Sequence, residues 1–288
     1  MSSDDYPHFP SSHARNILSH LLQKLRSRSS RHYQRYGEFL ESAPDQIEAL
    51  LWNCIQPDIL RHIECEDFHP HAAIPRIPYS SLRSSTYHGR SIYLHTIYAP
   101  SGHPRLYIGQ AYNTAFRIAQ HLDFRYRRSH RSLHHYALEL SAADSFTLLA
   151  TLTAPGSQPG MQRPDLVLNI LEMWCSLVFR TLRPRVLREW LPDGVEVGVG
   201  MGVGGLNLAV PLDQGTARAG MGTIKLLEES EDPLVREYCE LVRSKGQGSR
   251  LDDSYGVAMS GAGKVVLTAG AVCAAVLVVR YFMRRTRA

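Results

Sequence analysis

The chain has 288 residues, 44% of them hydrophobic and 20% charged, with 21 glycines and 16 prolines. That balance excludes a disordered, collagen-like or wholly membrane-embedded protein, because it supplies apolar material for one or two packed cores. The net charge is +5, and lysine occurs only at Lys24, Lys225, Lys245 and Lys264, so arginine carries nearly all of the positive charge. Arginine grips phosphate with a planar fork, which brings nucleic acid or an acidic membrane forward as a partner.

The first ten residues are acidic and hold no apolar run, so the sequence predicts neither a secretory signal nor a transit peptide there. Five scattered cysteines (Cys54, Cys65, Cys175, Cys239, Cys273) without a CxxC pair fit a reducing compartment. Residues 11–64 read as helical: Leu18, Leu21, Leu22 and Leu25 recur at helix spacing, as do Ile47, Leu50, Leu51 and Ile55. His62, Cys65, His69 and His71 form a loose cluster, but its spacing lacks the tight ligand pairs of a zinc site. Residues 68–81 are a proline-punctuated linker, and the predicted boundary falls there, leaving 1–85 as a helical extension.

Ser91–Tyr98 and Arg105–Gln110, separated by the turn at 99–104, predict an antiparallel hairpin. Asn113 or Thr114 is placed to cap a helix carrying Phe116, Ile118, Ala119 and Leu122. Leu133–Leu140 and Ser145–Leu152 read as strands, and residues 165–182 as a strongly apolar helix. These elements make up a central domain over 86–186, followed by a glycine-rich and charged extension over 187–255. The glycine run at 194–207 leads into Leu-Ala-Val-Pro rather than a helix start, so it reads as a loop or hairpin, not a phosphate loop. A charged helix is expected over 226–244. Residues 256–288 form a hydrophobic tail. Val265–Val279 carries no charge, and extension through Met283 gives a helix of about 28 Å, near the thickness of a hydrocarbon core. Residues 265–283 are therefore the expected membrane anchor, with the N-terminal bulk on the cytosolic side; without an anchor, a nuclear location is the alternative.

The basic charge is concentrated. Between Arg76 and Ala137 there are nine arginines and one acid, Asp123, interleaved with Tyr93, Tyr98, Tyr107, Tyr112 and Tyr126. Such a segment suits phosphates and stacked bases. Within the central domain, Tyr93 and Tyr107 fall on neighbouring strands, and Gly109 allows close backbone approach. Arg117 and His121 lie four apart and share a helix face. Glu172 is the only acid between Leu166 and Phe179, where a carboxylate is costly without a partner or metal.

Ser91-Ile92-Tyr93, Tyr107-Ile108-Gly109-Gln110, Arg117, His121 and Glu172 together resemble the GIY-YIG endonuclease family. The second motif matches letter for letter, whereas Ser91 stands where the family has glycine, and the two halves are about three residues farther apart than usual. The resemblance covers roughly 88–185 and implies an α/β domain with a three-stranded antiparallel sheet flanked by helices. It also implies hydrolysis of DNA phosphodiesters with Mg2+ or another divalent ion such as Mn2+, and no small-molecule cofactor. Glu172 would hold the metal and Arg117 would clamp the phosphate. Tyr93 would act as general base, with Tyr107 and His121 in the same network, and Asn207 would stand for the family's downstream asparagine. Arg105, Gln110, Arg125, Arg127, Arg128 and Arg131 are the candidate DNA contacts. The alternatives are a catalytically inactive nucleic-acid-binding module or a membrane-anchored interaction protein on the same fold.

Overall fold

The computed structural model describes residues 13–65, 87–100, 104–153, 156, 158–195, 204–215, 230 and 232–255. The helical N-terminal stretch is four helices: α1 (His13–Arg26), α2 (Tyr33–Glu41), α3 (Pro44–Cys54) and α4 (Pro57–Ile63). Prolines open α3 and α4, at first-turn positions where a missing N–H costs nothing. In α1, Ile17, Leu18, Leu21, Leu22 and Leu25 form one buried stripe.

The expected three-stranded antiparallel sheet is present, in the order β2-β1-β3. β1 (Ser91–Tyr98) is central and buried along nearly its whole length. It pairs with β2 (Pro104–Ala111) so that Tyr93 faces Gly109 and His95 faces Tyr107. It also pairs with β3 (Ala143–Thr151), placing His95 opposite Phe146. The β1–β3 register shifts between Ile92 and Tyr93, a bulge at the level of the first tyrosine. The Leu149 carbonyl there accepts from the Gln56 amide, 2.8 Å, and so ties the sheet to the start of α4.

Between β2 and β3 run α5 (Thr114–Leu122), α6 (Phe124–Ser129) and α7 (Leu133–Glu139). Asn113 caps α5, its Oδ1 accepting from the Phe116 amide at 3.0 Å. The strand expected over Leu133–Leu140 is instead α7. Ser132 caps it by accepting from the His135 amide, and Leu133, His134, His135 and Ala137 are buried together. Leu133, Tyr136, Ala137 and Leu140 recur at i, i+3, i+4 and i+7, which is helical spacing and not strand alternation.

After β3 come α8 (Pro164–Val178) and α9 (Pro184–Trp190). α8 stops short of the expected 182 because Arg180 takes a left-handed backbone, φ 54°. Within the glycine-rich run, residues 204–207 lie alongside β2, with Leu206 N donating to Leu106 O at 2.9 Å. Among the described residues no helix follows them directly, as a phosphate loop would require; a single 3-10 turn at Pro211–Asp213 does. The charged helix is α10 (Pro233–Tyr255).

Ile17, Leu21 and Leu51 share one core with Ile92, Leu94 and Leu149 of the sheet and with Leu168, Leu171 and Trp174 of α8. Trp174 Nε1 also donates to the Ala14 carbonyl, 3.0 Å. The N-terminal helices thus build the sheet's support. By contacts the chain divides into Met1–Cys239, which holds this core, and Glu240–Ala288, of which the end of α10 is described. The hydrophobic tail at 256–288 lies outside the described residues, as does the linker at 68–81. Among the described residues no helix is long and apolar enough to cross a membrane.

Candidate functional site

The site lies where β1, β2, α5, α7 and α8 meet. Tyr93 is fully buried, and its ring centroid lies 6.4 Å from that of Tyr107 and 5.8 Å from that of His121. Gly109 is required by this arrangement. A Cβ there would overlap the Tyr93 hydroxyl and approach Tyr107 Cε1 to 2.9 Å. Ser91 makes a buried hydrogen bond between its hydroxyl and that of Thr114. Thr114 in turn donates to the Gly89 carbonyl, 3.1 Å. The Ser91 hydroxyl thus ties the start of β1 to the first turn of α5.

Proton positions follow from the hydrogen-bond partners. The His130 carbonyl can only accept, so His135 Nδ1, 2.6 Å away, carries the proton. His135 Nε2 then accepts from His121 Nδ1–H at 3.1 Å, and His121 Nε2 accepts from the Tyr93 hydroxyl at 2.8 Å. A second chain runs beside it. Asp144 accepts from His95 Nε2 at 3.1 Å, and His95 Nδ1 accepts from His134 Nε2 at 2.7 Å. His134 stacks on Tyr107, with centroids 3.9 Å apart.

Burial keeps His121, His134 and His135 neutral. It pushes His121 down to about 2, helped by the Arg117 cation and neighbouring basic groups. His134 and His135 are lowered by burial as well. The same desolvation raises Tyr93 well above the ordinary phenol value and Tyr107 to about 12, against the pull of Arg117 on both. At rest Tyr93 is therefore a phenol, and the phenolate expected of a general base is absent. Arg117, half-buried, is held by Gln120 and the Tyr126 hydroxyl, each at 3.1 Å.

Glu172 is 3% exposed on α8. It accepts from Gln214 Nε2 at 2.6 Å, and Gln110 also hydrogen-bonds to it. Burial lifts its carboxyl to about 8 despite these amides and the Arg117 cation. Among the described residues no ion pair includes it, with Arg180 and Arg183 or with any other cation. Tyr93, Tyr107, Arg117, His121 and Glu172 are thus brought together from four elements, since the charge of Glu172 is felt at both tyrosines.

The candidate DNA contacts divide. Arg105 is not available to a ligand, contrary to expectation: it is buried and makes a bidentate pair with Asp232 at 2.6 and 2.9 Å. Gln110 faces inward, to Asn169 (2.8 Å) and Glu172, and is a support of the carboxylate. Arg127 caps the end of α5 through the carbonyls of His121 and Leu122, at 2.8 and 2.9 Å. Arg125, Arg128 and Arg131 are exposed. Near them in the chain, Tyr112, Phe116 and Phe124 expose 62%, 64% and 58% of their surface. Asn207 sits on the second motif: its Oδ1 accepts from Ile108 N at 2.9 Å and its Nδ2 donates to Ile108 O at 2.7 Å.

His95, His134, His135, Asp144 and Gln214 join the site without having stood out in the sequence. His95 had a signal, two positions beyond Tyr93 and thus on the same strand face. The loose cluster around His62 and Cys65 reaches residues 69 and 71, which lie outside the described residues. No family model, no curated protein and no solved structure matches this chain.

Proposed function

We propose that the chain is a GIY-YIG-type endonuclease that hydrolyses DNA phosphodiester bonds with one divalent cation, Mg2+ or Mn2+. The observation that carries this reading is the convergence of Tyr93, Tyr107, Arg117, His121 and Glu172 on one site. The donor set fits the cation. Glu172 is a buried carboxylate with amide donors but no cationic partner among the described residues, and a hard divalent ion takes carboxylate, phosphate and water oxygens. When bound, such an ion stabilises charge on the scissile phosphate and the leaving oxygen.

The protein's own residues supply the rest. Arg117 binds the phosphate and carries charge that grows in the transition state. A phosphate beside Arg117 also offsets that cation, which acts alongside burial in holding His121 neutral. His121 Nε2 can then take the Tyr93 hydroxyl proton as Tyr93 takes one from the attacking water, so Tyr93 relays a proton without becoming phenolate at rest. Exposed Arg125, Arg128 and Arg131 supply sequence-independent affinity, and Phe116 and Phe124 offer faces on which bases stack. Tethering through residues 265–283, with the bulk of the chain cytosolic, belongs to the same proposal.

The test is cleavage of labelled duplex, branched and single-stranded DNA by the full chain, with Mg2+ or with chelator, beside Glu172→Ala and Arg117→Ala. Cutting that needs the cation and disappears in both variants is expected. Salt-sensitive binding with no cutting by the unaltered chain would overturn the nuclease and leave a nucleic-acid-binding module.

A further inference from the structure

The histidines beneath Tyr93 make more contacts than a proton relay uses. One ring nitrogen each from His121, His134 and His135 lies within 4.8 Å of the others, and all three residues are buried. They come from two elements, α5 and α7, whose positions are fixed by the side-chain caps at Asn113 and Ser132.

Each ring has its outer nitrogen engaged. His135 Nδ1 donates to the His130 carbonyl at 2.6 Å, and His134 Nε2 to His95 Nδ1 at 2.7 Å. His121 Nε2 meets the Tyr93 hydroxyl at 2.8 Å. Behind His134, the chain continues from His95 to the carboxylate of Asp144, 3.1 Å. Metal-ligating histidines are held in this way, with the non-ligating nitrogen bonded to a carbonyl, a carboxylate or a polar relay.

Elimination leaves His121 Nδ1, His134 Nδ1 and His135 Nε2 as the ligating nitrogens. His135 Nε2 already presents a lone pair, because its proton is on Nδ1; His134 Nδ1 does so because its proton is on Nε2. Only His121 must move its proton, from Nδ1 to Nε2, where the Tyr93 oxygen can accept it. The 3.1 Å between His121 Nδ1 and His135 Nε2 is close to the edge of a tetrahedral site, about 3.3 Å for metal–nitrogen bonds of 2.0–2.1 Å.

We propose that His121, His134 and His135 form a three-histidine site for Zn2+, with a water in the fourth position. Three imidazoles suit zinc, whereas the carboxylate and amide oxygens around Glu172 suit a hard ion, so the two centres select different metals. The zinc site does not rest on the nuclease reading, and the two states alternate at His121: with the metal on Nδ1 and the proton on Nε2, the ring orients the Tyr93 oxygen and does not take its proton.

The experiment is metal binding by the purified full chain after chelation and dialysis, with Zn2+ measured by elemental analysis and Co2+ by visible absorption. The expected result is one equivalent of zinc retained in excess Mg2+, and a tetrahedral cobalt spectrum without thiolate charge transfer. His134→Gln and His135→Gln should each weaken retention at least tenfold with helical circular dichroism unchanged, whereas His62→Ala should not. X-ray absorption of the unaltered zinc-loaded chain should give a shell of three imidazoles and one oxygen, and this holds as a test even where a variant does not fold. No stoichiometric zinc, a shell containing sulfur, or binding lost with His62 rather than with His134 would overturn the site.

Discussion

Replacing Glu172 with glutamine keeps the shape of the side chain and removes its charge, so it isolates what burying that carboxylate costs. In the folded chain the carboxyl sits at about 8, against 4.5 for an unperturbed glutamate, because desolvation outweighs the amides of Gln214 and Gln110 and the Arg117 cation. The folded state therefore keeps a proton that the unfolded state releases, and stability falls as pH rises from about 4.5 to about 8. One unit is about 1.4 kcal/mol, so the penalty is about 1 kcal/mol at pH 5, about 3 kcal/mol at pH 7 and about 5 kcal/mol above pH 9. The glutamine side chain carries no such penalty, and its carbonyl can still accept from Gln214. Urea denaturation with chelator present should show the two chains nearly equal at pH 5 and the Glu172→Gln chain more stable by several kcal/mol at pH 9. Millimolar Mg2+ or Mn2+ should stabilise the unaltered chain at pH 9 and leave the variant unmoved, because binding to the folded state alone adds stability. A difference that does not change with pH, or a variant less stable at pH 9, would refute the reasoning that the carboxylate is buried without a cation.

Three further outcomes rest on the packing around the site. Gly109→Ala puts a methyl into the Tyr93 hydroxyl and the Tyr107 ring; cleavage should fall at least a hundredfold while circular dichroism keeps its helical signal, and near-normal cleavage would show that the two phenols need not hold their places. Breaking the buried Arg105–Asp232 pair with Asp232→Asn should cost about 3–5 kcal/mol in urea melts, and Arg105→Met with Asp232→Leu should recover most of it with DNA affinity unchanged. If Arg105 were instead a phosphate ligand, the double variant would bind DNA more weakly. Changing Arg125, Arg128 and Arg131 together to glutamine should flatten the salt dependence of DNA binding by about 0.9 logarithmic units for each phosphate no longer neutralised, and an unchanged slope would place the DNA elsewhere.

What sequence could and could not reveal follows from which interactions are local. Tyr93, Tyr107, Arg117 and His121 were legible because strand pairing and a helix turn fix their spacing over a short stretch of chain. Glu172 was legible because a charge inside an apolar helix is conspicuous. Arg105 misled because its partner, Asp232, lies 127 positions away, and nothing near Arg105 announces a buried ion pair. Gln214 was invisible for the same reason, 42 residues from the carboxylate it serves. The pair His134–His135 is hidden differently: histidine counts as polar in a periodicity reading, yet here both rings are core residues. The predicted boundary near 68–81 likewise rests on composition, whereas the core joins Leu21 and Leu51 to Leu94 and Trp174 across it.

The N-terminal helices bear on the chemistry through that core. Tyr36 of α2 donates to the Leu212 carbonyl at 2.9 Å and accepts from Asn169 Nδ2 at 3.1 Å. Asn169 Oδ1 accepts in turn from Gln110, which reaches Glu172. Leu212 lies two residues before Gln214, the other donor to the same carboxylate. One buried tyrosine outside the sheet thus orients both amides that face Glu172, and Tyr36 itself is held as a phenol, raised to about 12 by its burial. Tyr36→Phe keeps the ring and frees Asn169 and the Leu212 carbonyl together. The helical extension is on this account part of the site's frame, and its removal would release the donors of Glu172 before it exposed the tyrosines.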